Sequence, residues 1–349
     1  MNIYKKDVQN IAARNQLLGQ LAGRTILLSG ATGMIGKCII DLLMQYNDDC
    51  PKEQQVRIIA LSRNEESARQ RLGEHWSKDT LRYVPCDVNV EVPECGRAEY
   101  IIHAASNTHP QQYSQDAVGT IASNVIGTKN LLDYAVSHQA ERFCFLSSVE
   151  IYGENRGDTD RFEEDYLGYI DCNTLRAGYP ESKRVGETLC NAYAQTYCLD
   201  FVIPRLSRVY GPTMLLSDSK AIAQFIKKAA AGEDIVLKSA GTQLYSYTYV
   251  VDAAMAVLSV LLKGKNRQAY NVADMESEIT LRDLAAWLAE DHGVEVVFDL
   301  PDAVEQAGYS TATKALLDTE KITELGWQPQ THIREGLCKT VACLEQMNL

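Results

Sequence analysis

A serine, a tyrosine and a lysine follow one another at a spacing that can move a hydride: Ser148, then Tyr179 and Lys183 within the run Tyr179-Pro-Glu-Ser-Lys183. If residues 179 to 197 are helical, Tyr179 and Lys183 stand one turn apart on one face, because i and i+4 side chains are neighbours. Val185, Leu189, Ala192 and Tyr193 recur at helical spacing, and Pro180 is tolerated in a first turn. A free tyrosine ionises near pH ~10. An adjacent ammonium and a cationic nicotinamide both favour the phenolate, so Tyr179 is expected to take the proton of a substrate hydroxyl while the carbon hydrogen leaves as hydride. Ser148 is expected to hydrogen-bond the same oxygen and steady its developing charge.

A tyrosine four residues before a lysine is common, and the upstream glycine turn gives the pair its context. Arg24-Thr-Ile-Leu-Leu-Ser29 reads as a short buried strand, and Met34 to Gln45 as a helix with Ile35, Ile39, Leu42 and Leu43 toward a core. Between them lies Gly30-Ala-Thr32-Gly33-Met34-Ile35-Gly36, a Gly-x-x-Gly-x-x-Gly turn. Gly30 makes the tight turn, Gly33 lets the backbone approach a pyrophosphate and Gly36 permits close helix and strand packing. The predicted cofactor is therefore a nicotinamide dinucleotide, NAD or NADP. An acidic residue about 20 residues beyond such a turn favours NAD. Here the second strand ends in Ser62-Arg63-Asn64, and a hydroxyl with a guanidinium suits a 2′-phosphate, which leans toward NADP. The alternative, that Arg63 stacks on adenine or faces water, stays open.

The elements around these residues read as an α/β protein. Strand candidates at 25–29, 56–61, 81–85, 100–104, 143–147 and 200–204 alternate with helical stretches, which predicts a Rossmann-type doubly wound parallel sheet. Residues 1–22 carry Val8, Ile11, Leu17, Leu18 and Leu21 at roughly helical intervals, suggesting an amphipathic helix ahead of the first strand. We divide the chain into that helix, a dinucleotide-binding domain over 23–212 with a contribution from about 242–273, and a smaller interleaved substrate lobe from 213–241 and 274–349. A cleft between the lobes is where a substrate would sit.

Composition narrows the class. With 349 residues, 46% of them hydrophobic, the chain can bury a sizeable core. The net charge of −12 argues against a nucleic-acid partner. Ten cysteines without a Cys-x-x-Cys pair, and no signal peptide, predict a reduced, cytoplasmic protein. The longest apolar run, Ala253 to Leu262, is about half a membrane span and ends at Lys263, so no membrane anchor is expected. His103 and His109 lack a second ligand set at metal spacing, and no metal is expected.

The chain resembles the extended short-chain dehydrogenase/reductases, in the epimerase and dehydratase branch that modifies nucleotide sugars. Besides the glycine turn and Tyr179-x-x-x-Lys183, the resemblance rests on His103-Ala-Ala105, Asn124-Val-Ile-Gly-Thr128, Ser147-Ser-Val-Glu-Ile-Tyr-Gly153, Arg205 before Val209-Tyr-Gly-Pro212, Tyr249-Val-Val-Asp252, Tyr270-Asn-Val272 and Leu325-Gly-Trp327. It implies that Asp87 and Val88 meet the adenine, although Asp87 could simply serve a turn. It also implies that His103, Ala104, Ala105 and Asn124 line the cofactor. The two helices near 124–138 and 179–197 resemble the pair through which relatives dimerise, so a homodimer is expected.

Within the family, Ser148-Val149-Glu150 departs from the Thr-Asp-Glu of dehydratases and lacks the aspartate expected to protonate a leaving hydroxyl. Glu150 instead matches the glutamate of sugar-nucleotide decarboxylases, and the resemblance continues through Asp165-Tyr-Leu-Gly168, Arg176 and Tyr179-Pro-Glu181-Ser-Lys183-Arg184. It implies a nucleotide-diphosphate sugar as substrate, transient oxidation at C4, then epimerisation or decarboxylation and re-reduction, with Glu150 acting on the keto sugar and Arg176 shaping the sugar site. Three positions depart from the pattern. Tyr245 replaces an arginine that grips the diphosphate, Thr213 replaces another arginine, and Arg208 stands where many relatives carry asparagine. Arg208 and Lys220 are expected to supply the missing charge. Two other readings stay open: an NADPH-dependent reductase of an activated keto sugar, and a dinucleotide sensor without chemistry.

Overall fold

The strand-forming runs are apolar on both faces, and the reason is visible in their surroundings. A computed structural model describes residues 3–14, 16–106, 116–299 and 312–347. Seven parallel strands lie in the order Gln268–Val272, Phe201–Leu206, Arg142–Phe145, Tyr100–His103, Thr25–Ser29, Arg57–Ser62 and Leu81–Pro85, and a short eighth, Ser147–Ser148, pairs with Phe201–Leu206. Helices cover both sides, so strands read as continuous hydrophobic runs instead of alternating ones. Leu27 joins Ile59, Ile101 and Phe143 in one core, while Ile26 and Leu28 join Ile39, Leu43 and Val257 in the other. Each such fully buried side chain contributes about 1.5–3 kcal/mol.

The strand order reverses at Thr25–Ser29, which has Tyr100–His103 on one side and Arg57–Ser62 on the other. Ligands of open parallel sheets bind in the crevice at such a reversal, beyond the carboxyl ends of the strands. The glycine turn opens there. Gly30 has φ +72°, and a Cβ on it would lie 2.6 Å from the carbonyl carbon of Ala104. A Cβ on Gly36 would lie 2.3 Å from the Gly30 oxygen. Both positions therefore exclude every larger side chain, and the helix Met34–Asp49 starts flush against the strand it follows.

Several expected elements shift. The N-terminal segment is two pieces, a helix Ile3–Arg14 and a 3-10 turn Gln16–Leu21. The helix expected from 124 starts earlier and runs Ala117–Ser137, because Asp116 caps it by accepting the Gly119 N–H at 2.9 Å. The strand Leu244–Tyr249 does not join the large sheet. It pairs with Asp274–Thr280, Lys314–Ala315 and Arg208–Tyr210 in a smaller sheet, so of the region 242–273 only Gln268–Val272 adds a strand to the large one. The apolar run 253–262 lies within the helix Val250–Lys263, which packs inside the protein with nearly all its residues buried. No helix among the described residues is long and apolar enough to cross a membrane.

Gly36→Ala is expected to cost about 1–3 kcal/mol through overpacking and to lower Tm by several degrees. Gly19→Ala, whose Cβ would meet nothing within 4 Å, is the control. Thermal unfolding that leaves Gly36→Ala and Gly19→Ala indistinguishable would remove the packing argument.

Candidate active site

Tyr179 and Lys183 lie on the helix Gly178–Tyr197, which reaches its position through two contacts. A Cβ on Gly186 would lie 2.3 Å from Phe145 Cζ, so the helix lies directly on that ring. At the next residue, Arg205 grips Glu187 with both arms, Nε at 3.0 Å and Nη2 at 2.7 Å. Ser148 ends the short strand that pairs beside Leu206 and begins the 3-10 turn Val149–Tyr152, accepting the Glu150 N–H at 3.3 Å. Arg184 of the helix donates to the Ile151 carbonyl from Nε and Nη2, at 2.8 and 2.6 Å, which fastens that turn to the helix.

These contacts bring Ser148, Tyr179, Lys183 and Glu150 together, with a difference in how the charges act. Burial pushes the Tyr179 hydroxyl up to about 12; the hydrogen bond from Ser148 opposes this and Glu150 adds to it. Lys183 lies under 4% exposed and donates to the Leu146 carbonyl at 2.9 Å over the ring of Phe145. The ammonium is thus committed to the strand end, and burial lowers it to about 8. Arg176 lowers Tyr179 as well, but burial outweighs these effects, so in the protein alone the tyrosine stays above its ordinary value.

Glu150 is the centre of an ionic cluster. Arg176 Nη2 donates to its Oε2 at 2.6 Å, and Arg208 Nη2 to its Oε1 at 3.4 Å. Burial pushes the carboxyl up, but Arg176 and Arg208, with Lys220 behind them, outweigh it and hold the group below the ordinary glutamate range. Arg208 lies 3.3 Å over the ring of Tyr245, whose hydroxyl donates to the Ala312 carbonyl at 2.7 Å. Lys220 precedes the helix Ala221–Ala230 and its ammonium meets Asp218 at 3.3 Å.

The residues expected around a cofactor divide into those that face the crevice and those that build its wall. Gly33 stands at the N-terminus of the helix Met34–Asp49 with no side-chain cap, leaving the N–H groups of Met34, Ile35 and Gly36 to a ligand. Together with the cradle at Gly30 this fits a dinucleotide diphosphate. Arg63 is exposed and has no ion pair among the described residues, while Ser62 lies within 3.5 Å of the Tyr83 hydroxyl. Asp87 is exposed and accepts the Asn89 N–H at 3.0 Å, so it serves its turn, and Val88 is buried. Ala104 and Ala105 are half-buried, tied to Ser29.

Two of these side chains are buried in the wall. The His103 ring turns inward, bonded to Ser29 Oγ at 2.8 Å and Thr128 Oγ1 at 3.1 Å, and burial lowers it to about 3. It is a neutral strut in the wall. Asn124 is fully buried and bridges Ser106, at 2.7 Å, to Ser182, at 2.9 Å, with Ser182 in turn donating to the Tyr179 carbonyl. Its amide sets the loop after His103 against the tyrosine helix. His109 lies outside the described residues, among which no group of three or more His, Cys, Asp or Glu could hold a metal ion.

Sequence reasoning passed over Arg71. Arg71 donates to the Thr32 carbonyl at 3.2 Å and also to the Thr213 carbonyl, while Thr213 Oγ1 donates to the Met34 carbonyl at 2.9 Å. These bonds tie the glycine turn to the segment after Gly211-Pro212. No spacing rule could have found them, since the partners are backbone carbonyls 39 to 179 residues away in the chain.

The chain is similar to known proteins. UDP-glucuronic acid decarboxylase 6 of Arabidopsis thaliana is 30% identical over 320 residues, covering 89% of this chain and 86% of that protein. UDP-glucuronic acid decarboxylase 1 of Danio rerio is 27% identical over 331 residues, covering 93% and 74%. Among solved structures, DesIV, a dTDP-glucose 4,6-dehydratase of Streptomyces venezuelae with NAD and TYD bound, superposes with a TM-score of 0.79 at 26% identity, covering 92% of this chain and 97% of that one. A UDP-glucose 4-epimerase of Thermotoga maritima gives 0.80 at 22% identity, covering 93% and 100%, which speaks for the fold. The family model for NAD dependent epimerases and dehydratases matches residues 26–273, a span that begins in the strand before the glycine turn and ends just past the edge strand of the large sheet. A match over that whole framework, with relatives that are enzymes of the same kind, makes this chain a member of the NAD dependent epimerase/dehydratase family.

Proposed function

We propose that this protein oxidises a nucleotide-linked sugar transiently at C4 and that the step on the keto sugar is decarboxylation of a hexuronic acid. The observation that carries the reading is Glu150, held ionised between Arg176 and Arg208 next to Tyr179. Dehydration needs an acid that can protonate a leaving hydroxyl, and a carboxylate kept below its usual range by two guanidinium groups is a poor one. Paired guanidinium groups fit a substrate carboxylate, and a carboxylate beta to a ketone loses carbon dioxide readily. The decarboxylases at 26–30% identity support the same choice. Epimerisation uses the same oxidation and is the alternative outcome at this site.

In this reading Tyr179 takes the hydroxyl proton and Ser148 steadies the oxygen it leaves. A bound NAD supplies the hydride acceptor and, in its oxidised form, a positive charge that favours the Tyr179 phenolate. Met34, Ile35 and Gly36 offer backbone N–H groups to its diphosphate. Asn124 and Ser182 hold the tyrosine helix in register with the loop 103–106. Exposed, unpaired Arg63 supports a second reading, a reductase that draws on NADPH and releases it each turnover. We also take the lobe division proposed from the sequence to place the sugar over Glu150 and the dinucleotide over the glycine turn.

Three measurements check these roles. Mass spectrometry of dinucleotide released from denatured protein, followed by incubation with UDP-, CDP-, GDP- and dTDP-linked sugars including UDP-glucuronate, is expected to give bound NAD and carbon dioxide without net NADH. Substrate-dependent consumption of NADPH would replace the decarboxylase with the reductase. Tyr179→Phe is expected to lower turnover by at least ~10²-fold with dinucleotide still bound. Binding without any Tyr179-dependent turnover would make the protein a sensor.

The third concerns Lys183. Between pH 8 and 10.5 the folded form has lost a proton that the unfolded chain keeps, so the unfolded chain binds more protons and stability rises with pH across that window. From pH 7 to 10.5 the wild type is expected to gain on the order of 3 kcal/mol relative to Lys183→Met in denaturant unfolding. Parallel curves for the two proteins would sink the assignment of a buried ammonium.

A further inference from the structure

The floor of the site contains two buried donors on neighbouring strands, each without a hydrogen-bond partner among the described residues. Arg208 opens the strand Arg208–Tyr210, and Tyr247 is its register partner on Leu244–Tyr249. Arg208 spends Nη2 on Glu150, at 3.4 Å. Its Nη1 is buried without a hydrogen-bond partner, and so is the hydroxyl of Tyr247, a residue 1% exposed. Tyr245, two residues along the same strand and hence on the same face, lies under the guanidinium and fixes its plane. Burial keeps the Tyr247 hydroxyl protonated, so it can donate.

Buried polar atoms in folded proteins are nearly always paired, and each exception calls for a reason. A guanidinium N–H and a phenol O–H together, neither paired among the described residues, match an oxyanion. The other charges leave this pair for a ligand. Glu150 has its short bond with Arg176, at 2.6 Å, and Asp218 is engaged by Lys220.

We infer that Arg208 and Tyr247 form an oxyanion pocket in the floor of the smaller sheet, which takes a phosphate or carboxylate oxygen of the substrate; the inference rests on the nucleotide-sugar reading above. Tyr247 is then a substrate-binding residue that no motif marks, kept without a partner of its own because the substrate provides it. The pocket also explains why Arg208 sits at 3.4 Å from Glu150 and not closer: the guanidinium is shared between the internal carboxylate and the incoming oxyanion.

The test is calorimetric binding to the full chain carrying its dinucleotide, with UDP, CDP, GDP and dTDP, and with UDP-glucuronate. Tyr247→Phe removes only the hydroxyl and is expected to weaken the tightest of these ligands about tenfold. Arg208→Gln is expected to weaken it further, with dinucleotide affinity unchanged in both. Equal loss on nucleoside diphosphate and on UDP-glucuronate assigns the oxygen to the diphosphate; loss on UDP-glucuronate alone assigns it to the sugar carboxylate, and either supports the pocket. Without ligand, Tyr247→Phe is expected to melt at or above the wild-type Tm, since it sheds an unpaired buried hydroxyl; a clear drop would mean that the hydroxyl has a structural partner and would overturn the proposal. Binding as tight as wild type in Tyr247→Phe and in both Arg208→Gln and Arg208→Lys would overturn the pocket alone. Failure of every ligand to bind the wild type would overturn the pocket together with the nucleotide-sugar reading.

Discussion

A single residue, Ser207, separates a strand of the large sheet from a strand of the smaller one, and the site depends on that short crossing. Phe201–Leu206 lies beside Gln268–Val272 and Ser147–Ser148, while Arg208–Tyr210 already pairs with Leu244–Tyr249. Ser207 is held on both sides, its N–H donating to the Val272 carbonyl at 3.0 Å and its hydroxyl 2.7 Å from Thr248 Oγ1. With no slack between the sheets, Arg208 must project beside the end of the strand that carries Ser148. That is how a residue of the smaller sheet meets Glu150, which follows the short strand Ser147–Ser148 of the large one.

The charges gathered at this seam are balanced by burial as much as by pairing. Taking an ion out of water is costly, and an isolated buried charge usually gives up its ionised form. Glu150 keeps its charge because two guanidinium groups more than offset its burial. Lys183 has a carbonyl and the Phe145 ring for its ammonium, burial outweighs the charge of Glu187, and its proton affinity falls. Tyr179, buried beside Glu150, holds its proton more tightly than a free tyrosine. The resting protein is thus set against tyrosine ionisation, and positive charge brought by a ligand is the natural lever on it.

Position in the fold also separates wall from surface. His103 and Asn124 are as close to the crevice in sequence terms as Ala104 and Ala105, yet their side chains point into the structure and hold strands and helices together. Their importance to the site is geometric. Arg71 and Thr213 do the corresponding work between the glycine turn and the substrate side, through bonds to backbone oxygens.

Much of the framework was legible in the chain. The glycine spacing, the apolar strands and the i, i+4 relation of Tyr179 to Lys183 follow from local sterics and periodicity, which depend on near neighbours. The sheet assignment of Leu244–Tyr249 was not legible, because alternate tyrosines and serine look alike in either sheet and pairing is decided by partners far away. The same holds for the charges. Sequence supplied Glu150, Arg176 and Arg208 as candidates, but electrostatic interaction falls with distance and rises with burial, and both are set only when the chain has closed on itself. So the sequence by itself determined the fold class, the glycine cradle and the serine, tyrosine and lysine of the site; the tertiary structure alone decided that Glu150 sits between two arginines, that Lys183 serves a carbonyl and that Tyr247 faces Arg208, since each of these joins residues that no local rule relates.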